Sequence, residues 1–206
     1  MTKKKYHHGD LKNALIEAGI EILAKDGLGA LSLREVARQA GVSHTAPYAH
    51  YADKQALIAA IATAGYEKLY ARLADVVQQC QTSPAQQLVE AGWAYLEFAF
   101  EEPDHFKITF SGVVEKEKDY PAFVEISQKS FKLVVEIIEA CQQTGILPAG
   151  SPDLMAVSVW SMLHGLASLI LEEQISHTIL DRFTLQEMLM ASLNLMAQVK
   201  LGILKS

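Results

Sequence analysis

Apolar residues recur at every third or fourth position along almost the whole chain, the spacing of one buried face on an α-helix. No stretch alternates apolar and polar residues as a half-buried strand does, and no Asn-Gly or Asp-Gly hairpin joins two such stretches. There is no internal repeat. The pattern therefore predicts an all-α fold of about nine helices. The first runs from Leu11 to about Lys25, with Leu15, Ala18, Ile22 and Leu23 inward, Asp10 as its cap and Gly27 at its end. The second begins at Leu33 behind an S-x-x-E capping box of Ser32 and Glu35. It buries Leu33, Val36, Ala37 and Ala40 and stops at Gly41, with Ala37 small where a further helix must cross closely. Val42 plugs the turn, and Ser43 can cap a very short third helix from His44 to about Tyr51. Pro47 falls in or just after its first turn, where a missing N–H costs least.

Asp53 then caps a long helix from Lys54 to about Cys80, which at 1.5 Å per residue spans roughly 40 Å. Ser83-Pro84 opens the next, to about Phe100, which is apolar nearly all round and so predicted to be central and buried. Pro103 starts a shorter helix holding Phe106, Ile108 and Phe110, broken at Ser111-Gly112 and followed by a charged loop, Glu115 to Asp119. Pro121 opens a helix with Phe123, Ile126, Phe131, Val134, Ile138 and Cys141 inward, ended by Gly145. Ser151-Pro152 caps another, to about Leu171. Gly165 lies in its middle, where it costs about 1 kcal/mol against Ala unless another helix approaches closely. Thr184 and Glu187 make a second capping box, and the last helix, to about Leu204, carries Leu185, Met188, Leu189, Leu193, Met196, Val199 and Ile203.

Composition adds bounds. Half of the 206 residues are apolar, enough for a sizeable core. No uninterrupted apolar run reaches the roughly 18 residues that span a membrane. The start, MTKKKYHHGD, is basic but lacks the apolar stretch of a signal peptide. Cys80 and Cys141 sit in separate helices without metal-ligand spacing, which reads as two core thiols in a reduced, cytoplasmic setting. No metal site and no cofactor is expected; the pair His7-His8 reads as a hinge. The net charge of −6 is unevenly spread: residues through Lys54 carry eight Lys and Arg against six Asp and Glu, the remainder ten against eighteen. A mildly basic head on an acidic body suits contact with DNA at one end only. Lys3, Lys4 and Lys5 form a basic arm that fits either a phosphate-tracking segment or a solvated tail.

The chemistry concentrates in residues 31–54. A short helix that carries His44, Thr45, Tyr48 and His50 presents base-edge and phosphate partners where a core hairpin would carry apolar residues. Ala37-x-x-x-Gly41-Val42-Ser43, then Tyr48-x-His50-Tyr51, then Lys54 resembles the tetracycline-repressor family, whose recognition helix closes on a Tyr-x-His-Phe-like run; here Tyr51 stands in the usual Phe position. Tyr6 to Leu11 resembles the opening of one subgroup, and the Trp160-x-x-x-His164-Gly165 run is similar to the C-terminal domain of the subgroup named for a Trp-His-Gly signature. No Gly-rich phosphate loop, G-x-S-x-G or H-E-x-x-H supports an enzyme.

The resemblance implies a helix-turn-helix head over residues 1–53 and an effector-binding and dimerisation body over 54–206. It implies a transcriptional regulator, most simply a repressor released from a palindromic double-stranded operator by a small-molecule effector. A helical interaction module, or a small-molecule binder without DNA recognition, is the alternative reading. The expected DNA contacts are Arg34, Ser43, His44, Thr45, Ala46, Tyr48, Ala49, His50 and Lys54, with Ala46 and Ala49 allowing close approach. Trp93, Phe106, Phe110 and Trp160, with His164 as a polar group, are the candidates to line an effector pocket; plain core packing is the competing reading for each. Glu97, amid aromatics, either orients a ligand or faces the wetter side. Because one short helix reads only a few base pairs, a two-fold homodimer is expected, through the last two long helices.

Overall fold

The computed structural model describes residues 8–81 and 83–202. Lys3 to Lys5, Tyr6, His7 and Ile203 lie outside them. Among the described residues there are nine α-helices, two 3₁₀ turns and no strand. The helices are α1 His8–Asp26, α2 Leu33–Gln39, α3 Lys54–Gln79, α4 Pro84–Glu101, α5 Pro103–Phe110, α6 Pro121–Gln143, α7 Pro152–Leu171, α8 His177–Leu180 and α9 Leu185–Asn194.

Several ends depart from expectation. Asp10 lies inside α1, whose start is at His8. At α2 only half of the capping box forms. Ser32 Oγ accepts from the Glu35 N–H at 3.1 Å, but the Glu35 carboxylate takes the Arg38 guanidinium at 3.0 Å instead of returning to the cap. The Arg38 guanidinium is the main cause that holds the Glu35 carboxyl below its ordinary range. The box at Thr184 and Glu187 is complete. The charged loop after α5 contains a single 3₁₀ turn, Glu117–Asp119, and α8 is a one-turn helix that periodicity did not reveal. The last helix stops at Asn194, about ten residues early. There the Asn194 amide turns the chain back: its Oδ1 accepts from Leu201 N–H at 2.8 Å, and the Gln198 N–H reaches the Ile146 carbonyl at 2.8 Å.

The chain divides into two compact units. The first comprises the described residues up to Tyr66 together with Asp104–Glu125. Its core is built from Leu15, Ile22, Leu33, Val36, Leu57 and Ile61, with Ala37 fully enclosed. Ile108 of α5 belongs to the same core, and Val113 and Val114 pack against it. The crossing of α3 and α5 is the tightest in this unit: a Cβ on Gly65 would fall 1.9 Å from Thr109 Oγ1 and 3.1 Å from its Cβ. Beside it the buried His105 donates Nε2–H to the Ile61 carbonyl at 3.2 Å, since a carbonyl can only accept.

The second unit comprises Glu67–Pro103 and the described residues from Ile126. Here α4 is central, as its sequence predicts. Leu88, Ala91, Leu96, Phe98 and Ala99 are buried, and α4 packs on α7 and α9, which pack on each other. Cys141 donates Sγ–H to the Pro84 carbonyl at 3.2 Å, and burial pushes its thiol up to about 11. Burial also raises Cys80, so both thiols stay protonated at neutral pH. No apolar run in α7 reaches 18 residues, yet by length and average composition alone it passes as long and apolar enough to cross a membrane, with a mean hydropathy of 1.8. Ser, His and Gly interrupt its apolar run without lowering the average enough. Only 22% of that stretch is buried within the chain. The close helix approach expected at Gly165 is also missing here, for nothing lies within 4 Å of where its Cβ would stand.

The crossing at Gly65 predicts a specific rescue. Gly65→Ala should lower the first unit's stability by about 1–3 kcal/mol through overpacking, despite the gain in helix propensity. Thr109→Ala in the same chain should return most of the loss, because the overlapping oxygen is gone. Denaturant melts followed by far-UV circular dichroism check both variants; a stabilised Gly65→Ala protein would contradict the crossing.

Candidate nucleic-acid interface

The short third element starts from an absent hydrogen-bond donor. An α-turn would need the N–H of residue 47 on the Ser43 carbonyl, and Pro47 has none. The Ser43 carbonyl takes the Ala46 N–H at 3.0 Å instead, and the chain winds as a 3₁₀ turn over Ala46–Ala49. The helix expected from His44 is thus reduced to four residues. Ser43 does not cap it; its hydroxyl pairs with the Thr45 hydroxyl at 3.2 Å. The Pro47 carbonyl accepts both His50 N–H and Tyr51 N–H at 2.9 Å, which closes the turn.

Burial sorts the element into a frame and a face. Pro47 and Tyr51 are buried, at the level of Val36 and Ala37 in α2. Ser43, His44, Thr45, Tyr48, Ala49 and His50 are exposed, Tyr48 to 61%, and Ala46 is half-buried. Arg34, in the first turn of α2, is exposed as well. Lys54 is half-buried, and its ammonium donates to the Leu28 carbonyl in the loop between α1 and α2. Asp53 Oδ1 accepts the Ala56 N–H at 2.8 Å and so caps α3. Arg34, Ser43 to Ala46, Tyr48 to His50 and Lys54 all belong to the first unit.

The aromatic candidates are divided between the two units. Phe106 and Phe110 stack edge to face at 5.1 Å, and Phe110 meets Tyr66 at 5.4 Å, all within the first unit. Trp93, Trp160 and His164 lie in the second. Trp93 donates its indole N–H to Glu97 at 2.7 Å. Trp160 and His164 are joined through Tyr95, a buried residue of α4 that sequence reasoning listed only as part of an apolar helix. The Trp160 N–H donates to the Tyr95 hydroxyl at 3.1 Å, and that hydroxyl lies 2.8 Å from His164 Nδ1. Indole is a donor only, so the Tyr95 hydroxyl accepts from Trp160. Burial lowers the His164 pKa.

An exposed polar turn on a buried frame, preceded by a capped helix of seven residues, is the geometry of a helix-turn-helix. Residues 15–61 match the family described as bacterial regulatory proteins, tetR family, and residues 88–193, just over half the chain, match the tetracyclin repressor-like C-terminal domain. The chain belongs to the tetracycline-repressor family. As such it is a DNA-binding transcriptional regulator. It is 26% identical over 165 residues to the uncharacterized HTH-type transcriptional regulator YobS of Bacillus subtilis, covering 80% of this chain and 81% of that one. Among solved structures it is similar to a protein of unknown function from Rhodococcus sp. RHA1, at 30% identity, with a TM-score of 0.76 over 95% of this chain and all of that one. It shares the fold of a tetR-family regulatory protein from Rhodococcus RHA1, at 19% identity, with a TM-score of 0.72 over 90% of this chain and 96% of that one.

In this tetracycline-repressor-family chain, Tyr51 carries a cost that its usual Phe counterpart would not. Its hydroxyl is buried and without a hydrogen-bond partner, and burial pushes its pKa up to about 12. An unsatisfied buried hydroxyl costs about 1–3 kcal/mol. Tyr51→Phe should therefore raise stability by about 1 kcal/mol with helix content unchanged, as a shift of the denaturant midpoint. A destabilised Tyr51→Phe protein would mean that the hydroxyl is satisfied after all.

Proposed function

We propose that this regulator is a cytoplasmic repressor that binds a palindromic operator as a homodimer and is released by a small-molecule effector. The observation that carries the reading is the exposed set His44, Thr45, Tyr48 and His50 on a turn fixed from below by Pro47 and Tyr51. His44 and Thr45 read base edges, and the Thr45 methyl can also meet a thymine methyl. Tyr48, His50 and Lys54 hold phosphates, Arg34 reaches a base or a phosphate, and Ser43, Ala46 and Ala49 lie against the backbone. Lys54 keeps its bond to Leu28 while doing so, because an ammonium has three donors.

A four-residue turn spans too little DNA for useful specificity, and two copies double the contacts. The apolar face that α7 leaves uncovered supports pairing through α7 and α9. Leu154 is 70% exposed and Leu195, just beyond α9, 87%. Between Leu154 and Leu171 no Asp, Glu, Lys or Arg interrupts α7, so a second copy meets no like charge. Gly165 and the exposed Ser158 and Ser161 lie along that face and permit close backbone approach of the partner helix.

For the effector, the second unit offers Trp160 and His164 with Tyr95 as their polar hub, and Trp93 paired with Glu97, in line with the Trp-His-Gly subgroup resemblance. Phe106 and Phe110, the other two candidates, belong to the first unit. The ligand class supported is a small, largely apolar molecule with few polar groups. Its signal reaches the DNA through α3, which runs without a break from Lys54 to Gln79.

Two measurements test this function. In fluorescence anisotropy against operator and scrambled duplexes, His44→Ala or Thr45→Ala should relax sequence preference by about 1–3 kcal/mol at the affected base pairs. Lys54→Ala should weaken all duplexes alike and reduce the salt slope by about one. The opposite division would refute the roles given. For the effector, operator must weaken its binding by the factor by which it weakens operator binding; calorimetric titrations with and without operator that give equal affinities would refute induction.

A further inference from the structure

The backbone passes between the two units at three points, one of them inside α3 at Tyr66–Glu67 and one at Pro103–Asp104, where α4 gives way to α5. The residues of the second unit beside these two crossings are joined. Lys68, two positions past the first crossing, pairs with Glu102, one position before Pro103. Arg72, one helical turn further along α3, reaches Glu101 at 2.7 Å and Glu102 at 3.7 Å. Its guanidinium also lies 6.0 Å from the ring centre of Phe98, which is fully buried.

Three features set this cluster apart from a solvated surface pair. Lys68 and Arg72 are spaced i, i+4, so they share one face of α3. Glu101 and Glu102 stand at the C-terminal end of α4, where the helix dipole disfavours carboxylates, so they depend on neighbouring cations. Arg72 and Glu102 are both 28% exposed, more enclosed than the fully solvated pairs that contribute little, while Lys68 and Glu101 are 40% and 60% exposed. Glu102 is the C-cap of α4, at φ −132 and ψ 59, and Pro103 begins α5 immediately after it.

We propose that Lys68, Arg72, Glu101 and Glu102 form an ionic clamp that fixes the start of α5 relative to the middle of α3 and holds the regulator in its operator-reading state. This rests on the repressor reading above, in which the effector-free chain binds DNA. The clamp places the α4–α5 junction under the control of α3, the helix that carries Lys54. Loosening it frees the α4–α5 junction at Pro103.

The test is a double-mutant cycle on the full chain: Lys68→Met, Glu102→Gln and the two combined. Helix content by circular dichroism should be unchanged in all three. Each single variant should weaken operator binding about fivefold and raise deuterium uptake over residues 103–110, and the double variant should be no worse than the stronger single, because the partners act through one another. Single variants within twofold of the parent in both measurements would overturn the clamp, as would a double variant whose loss is the product of the two singles. If the parent binds no operator in a selection from random duplexes, the repressor reading fails by itself, and deuterium uptake alone then decides for or against the clamp.

Discussion

Closing the core of the first unit is the constraint on which the DNA-reading surface depends. Two helices, a four-residue turn and the first half of α3 give a core of marginal size. Ile108, Val113 and Val114 complete it, although they come more than forty residues later in the chain. Fully burying a residue such as Ile contributes about 1.5–3 kcal/mol, and Ile108 is only 8% exposed. Bringing it in requires α5 to lie so close to α3 that only glycine fits at position 65. The same approach buries the Thr109 hydroxyl without a partner, at a cost of about 1–3 kcal/mol. The apolar gain from three side chains outweighs that one oxygen, and the His105 bond to Ile61 adds to the favourable side. A segment that sequence alone assigns to the body is thereby part of what keeps the reading turn in place.

The readability of each element follows from how local its causes are. Ser83-Pro84, Ser151-Pro152 and Thr184 with Glu187 mark helix starts through contacts within three residues, and those starts stand where the caps put them. The exposed face of the reading turn was legible because polar residues crowd a short element between two apolar helices. Its 3₁₀ winding follows from Pro47 as well, but only once the missing bond is assigned to the Ser43 carbonyl. The end of α9 was not legible, for it is set by Asn194 folding the chain onto Leu201. Glycine misled in the same way. Mid-helix position is a local fact about both Gly65 and Gly165, and which of them meets a neighbour within the chain is not.

The aromatic residues show the limit most plainly. Bulk and spacing single out Trp93, Phe106, Phe110 and Trp160 together, but bulk does not say which core a ring enters. Phe106 and Phe110 fall in the first unit. The two indoles take polar partners, Glu97 and Tyr95, although Trp93 is only half-buried and Trp160 is 37% exposed. Tyr95 was hidden by its surroundings: in a helix apolar nearly all round, one hydroxyl carries little weight in the pattern, yet it joins Trp160 to His164.

A surface that reads DNA must be polar and exposed, and it must also be rigid, because each mobile side chain or turn adds an ordering cost on binding. Four residues of 3₁₀ turn cannot supply that rigidity through their own hydrogen bonds. It is supplied from beneath. Pro47 has a fixed φ and a carbonyl that holds two N–H groups. Tyr51 anchors the turn's exit in the core, and Asp53 begins α3 two residues later. Lys54 adds a fourth tie, from the start of α3 to the Leu28 carbonyl ahead of α2. That bond spans the whole motif and draws together the loop before it and the helix after it. It uses one of three ammonium protons, so a phosphate can be bound by the remaining two without breaking the frame. In the proposed role the same residue serves stability and affinity together. Its loss should flatten the salt dependence of binding, and it should also loosen the loop at Leu28, which an exposed cation free of the fold would not do.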